Sequence, residues 1–469
     1  MRATEVLQKC LGDALGSMHA LRSRVLLRAV EATIHGRPLT LIDLARSWPG
    51  AERIRAPLKA FDRLLGNRHL HAEHQGIHAA MARWLVRSKQ PVIVVDWSEL
   101  KQDRSWHLLR AAIPVSGRTL PILDRVFPAG RQGSPTAEKQ FLQRLAEVLP
   151  DGVVPVLVTD AGFRGPWFQA VEAMGWRWLG RLRNTTYLKP SGDPSSPWAS
   201  CKSMHTLAKR APRDFGLMDV ARSVPLTARV VLHAKPPQGR KHHNQRGVPA
   251  RNSYSGQHAR REREPWSLMA SPNLKLSARQ LVALYARRMQ IELSFRDLKS
   301  HRYGQAFEDS LTHKGPRIEV LLLLSTLAAF ATWLVGMACE ASGIDQWLTP
   351  FRSKRRLLRV LVVNEQRAGW TWSPEPVNAD IYAGSRQAAS CKTQATCPPS
   401  STRLTSVVSD ADDGARRWCP SLPLRYPFLT SSLNTPPACA LASKDGTIAV
   451  IRSQTHEAAK GRRPWPWSK

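Results

Sequence analysis

Acidic residues are scarce in this chain. Its 469 residues hold 36 Asp and Glu against 69 Lys and Arg, a formal net charge of +33. That imbalance excludes an ordinary metabolic enzyme as the leading reading. It points to a polyanionic partner, and nucleic acid is the commonest one. Cysteine is sparse too. The seven cysteines, an odd number, are spread from Cys10 to Cys439. No disulfide framework is indicated, and a reducing cytoplasm is the natural compartment. The first residues, MRATEVLQKCLGDALG, lack the apolar core of a secretory signal. GRQGS at 130–134 lacks the Gly-Lys-Ser/Thr of a phosphate loop, so no ATP is implied. No internal repeat is visible. One apolar run, Val320 to Ala338, is long enough to cross a bilayer. It is solitary and set in a very basic chain, so it reads as a helix buried in a soluble core, with no membrane partner.

What is present is a foldable chain. A hydrophobic content of 42% excludes a disordered basic tail. At roughly 100–200 residues per domain, the length allows two to four domains and at least one large core. Residues 1–88 show apolar residues three and four apart, with basic residues mixed in as in RIRAPLKAFDRLLGNRHLH. This predicts a helical domain suited to DNA contact. His69, His71, His74 and His78 cluster there without a Cys or carboxylate to complete a metal spacing, and read as a solvated basic helix. The pattern then changes. PVIVV, ending in Asp96, predicts a buried strand; RSWHLLRAAIPV and RTLPILDRVFP predict two more in a meander. A helix over 137–149, a strand PVLVT ending at Asp160, a helix around 165–174 and a strand at 176–183 follow. The expected class is mixed α/β, with helices packed on a mixed sheet and two aspartates at strand ends, where ligand chemistry gathers.

Residues 186–275 break the alternation and predict a β-rich insertion. Seven Lys and Arg fall between Arg240 and Arg263, in a basic loop. A basic, apolar stretch at 346–384 predicts a C-terminal helical segment. From 385 to 469, 29 of 85 residues are Ser, Thr or Pro without periodicity, which predicts a disordered tail and makes Cys391 and Cys397 incidental. A frame-shifted end would read the same way.

The most informative segment is a single helix expected over 277–300. Tyr285, Arg288, Glu292 and Lys299 stand at offsets 0, +3, +7 and +14. At about 100° per residue these fall in an arc of roughly 60°. Such a stripe is satisfied either by local ion pairs on a solvated face or by a phosphodiester backbone with bound metal. Three carboxylates able to converge at one sheet edge (Asp96, Asp160, Glu292) are the hard oxygen donors that a divalent pair requires.

In these residues the chain resembles the DDE transposases of bacterial insertion sequences, in the IS4-type branch with a Tyr-x2-Arg-x3-Glu-x6-Lys signature. Tyr285, Arg288, Glu292 and Lys299 match that spacing without a gap. Asp96 in VVDWSEL and Asp160 in VTDAGFRG match the two aspartates. The resemblance implies a ribonuclease-H-like core over 89–345, interrupted by the β-rich insertion. It implies two Mg²⁺ ions, with Mn²⁺ as a substitute, on Asp96, Asp160 and Glu292. Tyr285, Arg288 and Lys299 would grip phosphates, Trp266 would stack on a flipped base, and Arg181 and Arg183 would add phosphate contacts. The partners implied are double-stranded DNA, at transposon ends and target, and a second copy in a paired-end homodimer. The setting implied is cytoplasmic and nucleoid-associated. The alternatives are a non-enzymatic DNA-binding protein, a domesticated or inactive relative, and a metal-dependent nuclease.

Overall fold

The computed structural model describes residues 3–36, 38–115, 117–236, 264–302 and 304–342, with two short strands at 441–442 and 448–449. Most of the basic loop, the segment at 346–384, and Cys391 and Cys397 lie outside the described residues. So does the tail apart from those two strands, which pair antiparallel. The helices and strands that precede them belong to the unit Met1–Arg386.

Six helices come first: α1 Ala3–Cys10, α2 Gly12–Gly16, α3 Ala20–His35, α4 Leu41–Arg46, α5 Arg55–Leu65 and α6 Arg68–Leu85. Their starts follow local chemistry. Thr40 caps α4 by accepting from Asp43 N, and Asn67 caps α6 by accepting from His69 N and Leu70 N. In α6, His74 and His78 are not solvated as the sequence suggested: they are 7% and 2% exposed. The helix packs against β3 and the helix over 135–148, and its inner face takes neutral imidazole rings as core filling. Burial pushes the pKa of His74 down to about 3 and that of His78 to about 4.

Ten strands then form one sheet. They are β1 Val92–Glu99, β2 Trp106–Val115, β3 Arg118–Pro128, β4 Val156–Val158, β5 Arg177–Arg181, β6 Tyr187–Pro190, β7 Ala199–Ser200, β8 Arg213–Val220, β9 Leu226–His233 and β10 Trp266–Ala270. Their order is β3-β2-β1-β4-β5-β10-β9-β8-β6-β7. The pairs β3–β2 and β2–β1 are antiparallel, and β1–β4 and β4–β5 parallel. Helices α7 Pro135–Val148 and α8 Gly165–Ala173 make the crossovers. Gly180 on β5 lets the Phe168 ring of α8 lie close: a Cβ there would meet it at 2.7 Å. Strands β6 to β9 do not form a separate sheet. They continue the first one, because β10 returns to pair antiparallel with β5.

Asp96 lies inside β1, not at its end. The parallel ladder to β4 reaches only Val94, whereas pairing with β2 runs on to Glu99. Asp96 therefore sits where one side of the strand has lost its partner. Asp160 follows two residues beyond β4.

The helix expected over 277–300 is two: α9 Ala278–Ala286 and α10 Met289–Lys299. A capping box starts α9, with Ser277 Oγ accepting from Gln280 N and Gln280 Oε1 accepting from Ser277 N. Between the two helices the backbone tightens to i→i+3 bonds, with Arg287 N and Arg288 N donating to Leu284 O and Tyr285 O. No Pro or Gly occurs between 278 and 299, so the break is not written in local propensity. It falls at Arg288, whose side chain makes a buried ion pair with Asp96 and a half-exposed one with Glu292. Helix α10 is fixed to β3 by Ser294 Oγ accepting from Thr119 N at 2.9 Å and by an Arg118–Asp297 ion pair of 2.5 Å.

Last comes α11, Gly315–Ala341. It is apolar and long enough to span a membrane by composition, but 83% of its most apolar window is buried inside the protein. It packs against β3 and α3 and, further along, α1, α5 and α6. The N-terminal helices thus share one hydrophobic core with it.

Candidate active site

The site forms where β1, the loop after β4 and the α9–α10 turn meet. Asp96 is 6% exposed. Its Oδ1 accepts from Trp97 N at 2.9 Å, and its Oδ2 accepts from Arg288 Nη1 at 3.1 Å. The same Nη1 donates to Glu292 Oε1 at 3.1 Å. One guanidinium nitrogen therefore bridges two carboxylates that are 196 positions apart in the chain. Arg288 Nε is buried without a hydrogen-bond partner.

Asp160 joins electrostatically. The pKa of Asp96 is raised, first by burial and then by the Asp160 charge, with Arg288 opposing and Glu292 adding to the rise. Burial works against the Arg288 charge. Tyr285, Asp96, Asp160 and Glu292 outweigh it and hold the guanidinium protonated above its ordinary range. Asp96 thus feels both other carboxylates, and Arg288 feels all three. As the side chains lie, no three His, Cys, Asp or Glu among the described residues are gathered closely enough to hold a metal ion. Arg288 stands between Asp96 and Glu292.

The Asp160 loop is built locally. Asp160 Oδ1 accepts from Gly162 N at 2.7 Å, a turn in which the side chain bonds the backbone two residues on. A Cβ at Gly162 would come within 2.7 Å of that oxygen. Arg183 closes the loop from outside, donating from Nε to Ala161 O at 2.6 Å and from Nη2 to Gly162 O at 2.9 Å. Sequence reading offered Arg183 as a phosphate contact and missed Gly162. The Asp-Ala-Gly tripeptide carried the signal.

The other expected residues fall into two groups. Tyr285 is buried under Arg288, whose Cζ is 5.8 Å from its ring centroid. Trp266 meets the Tyr285 ring edge-on at 5.0 Å, is only partly buried, and has the Lys235 ammonium 5.9 Å from its own ring. Arg181 reaches back to this corner through Pro265 O at 3.5 Å and Glu264 at 3.9 Å. With Arg164 and Arg183 it lines a cavity of about 230 Å³ that Phe163, Phe168 and Met269 also wall. Lys299 stands apart, at the end of α10. Burial lowers its pKa, with the Glu308, Glu99 and Glu292 charges opposing. It is not part of the Arg288 bridge.

A protein-family model described as the transposase DDE domain matches residues 87–331, just over half of the chain. The chain belongs to the DDE transposase family. Every element that carries Asp96, Asp160 and Glu292 lies inside the matched span, so this transposase places its carboxylate cluster within its family domain. No curated protein matches the transposase. Among solved structures, the piggyBac transposase synaptic complex with hairpin DNA resembles it over 78% of this chain and 78% of that one, at 9% identity and a TM-score of 0.38.

Proposed function

We propose that this DDE transposase excises and inserts a DNA element by phosphoryl transfer at Asp96, Asp160 and Glu292. The observation that carries the reading is the buried Arg288 guanidinium bridging Asp96 and Glu292 at 3.1 Å each, with the Asp160 charge acting on both Asp96 and Arg288, in a chain of net charge +33. The strand order β3-β2-β1-β4-β5, antiparallel and then parallel, supports a ribonuclease-H-like core. All three donors are carboxylates, the hard oxygen ligands that Mg²⁺ or Mn²⁺ prefers. Burial first, and then the Asp160 and Glu292 charges, raise the pKa of Asp96, and a divalent pair would relieve both costs. Bound there, such a pair supplies an activated oxygen and charge neutralisation for an in-line displacement.

The chain's own residues do the positioning. Asp160 is held by the Gly162 turn and the Arg183 clamp. Asp96 is held by its strand, and Glu292 by α10 on β3. Lys299, Arg288 and Arg181 offer cations for phosphates, and Trp266 presents a partly open ring for a displaced base. The reaction is hydrolysis at the element's end, attack of the freed 3′-hydroxyl on the opposite strand to give a hairpin, reopening, and joining to target DNA. Helices α1 to α6 supply further DNA contact, and two copies bridge the two ends. A supercoiled plasmid carrying the element, incubated with Mg²⁺ or Mn²⁺, tests this. Excised, hairpin-ended product is expected, and none with Asp96→Ala, Asp160→Ala or Glu292→Ala. Cleavage that survives all three changes would falsify the assignment. Trp266→Ala should slow hairpin formation far more than first-strand nicking; equal loss at both steps would mean that the ring is packing only.

A further inference from the structure

Arg288 is in an unusual position for a residue offered to DNA. Its side chain is 12% exposed, and its Nη1 already serves two of the three carboxylates at 3.1 Å each. Both oxygens of Asp96 are thereby engaged, one by Trp97 N and one by Arg288. Asp160 Oδ1 is held by Gly162 N. Among the hydrogen bonds of the cluster, only the Arg288 pair is made by a side chain that can leave; the other two come from the backbone.

A guanidinium does not lose its proton in a protein, so it cannot vacate a site by neutralisation. It leaves only by moving away. A divalent ion needs carboxylate oxygens at about 2.0–2.1 Å for Mg²⁺, and an Arg288 nitrogen now rests on one oxygen of Asp96 and one of Glu292. A second positive charge brought beside it would repel it at short range in a poorly hydrated corner. The side chain is also set up for exit. It springs from the tight turn between α9 and α10, its Nε makes no hydrogen bond, and apart from the two carboxylates its guanidinium is held only by the neighbouring Tyr285 phenol and the sulfur of the half-exposed Met289.

We propose that Arg288 is an exchangeable internal cation: it fills the place between Asp96 and Glu292 in the metal-free protein and competes with divalent metal for those two carboxylates. This rests on the three carboxylates being the metal site, as proposed above. It goes further in giving Arg288 an occupancy of its own before any DNA is bound. The competition also decides the sign of an experiment. A purely structural Arg288 would gather the carboxylates, so that removing it weakens metal binding. A competing Arg288 holds metal off, so that removing it strengthens binding.

The test is equilibrium binding of Mn²⁺ to the full-length protein without DNA, read from the electron paramagnetic resonance of the free ion. Arg288→Gln is expected to tighten Mn²⁺ binding by roughly tenfold, within the range of ordinary site-to-site coupling. Arg288→Lys, which keeps the charge, should stay near the parent. Thermal melts give a second readout on the same proteins. Arg288→Gln should melt lower than the parent without metal and gain more from Mn²⁺ than the parent does. Unchanged or weaker Mn²⁺ binding in Arg288→Gln, with binding still dependent on Asp96, overturns the exchange and leaves the metal site standing. If neither the parent nor Arg288→Gln binds Mn²⁺, or if Asp96→Asn binds it as well as the parent, the metal site falls and the exchange with it.

Discussion

Two helical regions follow one another near the end of the described chain and do opposite work. Helix α11 runs unbroken for 27 residues, is apolar almost throughout, and lies in the centre of the core. The pair α9 and α10 is shorter, half polar, and broken at Arg287 and Arg288. Neither region contains an internal proline that would explain the difference; Pro316 sits in the first turn of α11, where it is tolerated. What separates them is what each meets. Helix α11 meets side chains that ask only for volume. The α9–α10 pair meets the buried Asp96, which takes an ion pair from Arg288 at the turn between the two helices.

The contrast can be broken by experiment. In α10, function should fail without the fold. Glu292→Gln is expected to reduce DNA cleavage by at least about a thousandfold, as loss of a catalytic group does. Its melting midpoint should stay near that of the parent, because the side chain is 48% exposed. A large fall in the midpoint would erase the distinction. In α11 the reverse should hold. Phe330 is fully buried, and Phe330→Ala should cost about 3–5 kcal/mol of stability, while cleavage per folded molecule at low temperature stays near normal. Chemical denaturation paired with an active-site titration would check it.

A third change bears on positioning alone. Gly162→Ala forces the Asp160 carboxylate aside, since the new Cβ would meet Oδ1 at 2.7 Å. Displacement of a reacting group by an ångström costs about a hundredfold in rate, so cleavage should fall by that order with little change in melting. Full activity in this variant would show that the Asp160 turn is not the working geometry.

The smallest effect sharpens the comparison by turning to a buried carboxylate outside the cluster. Glu138 on α7 is 4% exposed, and burial pushes its pKa up to about 7, against a weak Trp97 hydrogen bond and the Arg164 charge. The fold favours its protonated form. Its share of stability is therefore present below the ordinary carboxylate range and lost as pH rises through about 7. Glu138→Gln should melt a few degrees above the parent at about pH 8 and lose that advantage at about pH 5. An advantage independent of pH would mean that Glu138 is not neutralised by its surroundings.

Much of this was legible in the sequence for one physical reason: buried strands and amphipathic helices leave local patterns. PVIVV, PVLVT and the meander from Trp106 to Pro128 declared β1 to β4 in that way. Asp96, Asp160 and Glu292 were legible through spacing and family likeness, though their roles remain for the assays above. What was not legible depends on partners distant in sequence. The break falls at Arg288, whose ion-pair partner Asp96 lies 192 positions earlier. His74 and His78 read as solvated because polarity alone does not show which face of a helix a sheet will cover. The continuity of the sheet turns on β10 finding β5, a pairing that no local pattern announces.

That continuity fixes lengths as well as shape. From β1 to β7 the sheet takes seven steps without interruption. At about 4.8 Å per step this comes to roughly 34 Å, close to one helical turn of duplex DNA. The ladder is hydrogen-bonded at every step, with one register shift, between Asp214 and Leu217 on β8. If the proposed cleavage at the carboxylates holds, a nucleic acid touching the outer strands would meet the sheet about one duplex turn away from them, and that spacing would help set which phosphate reaches the cluster.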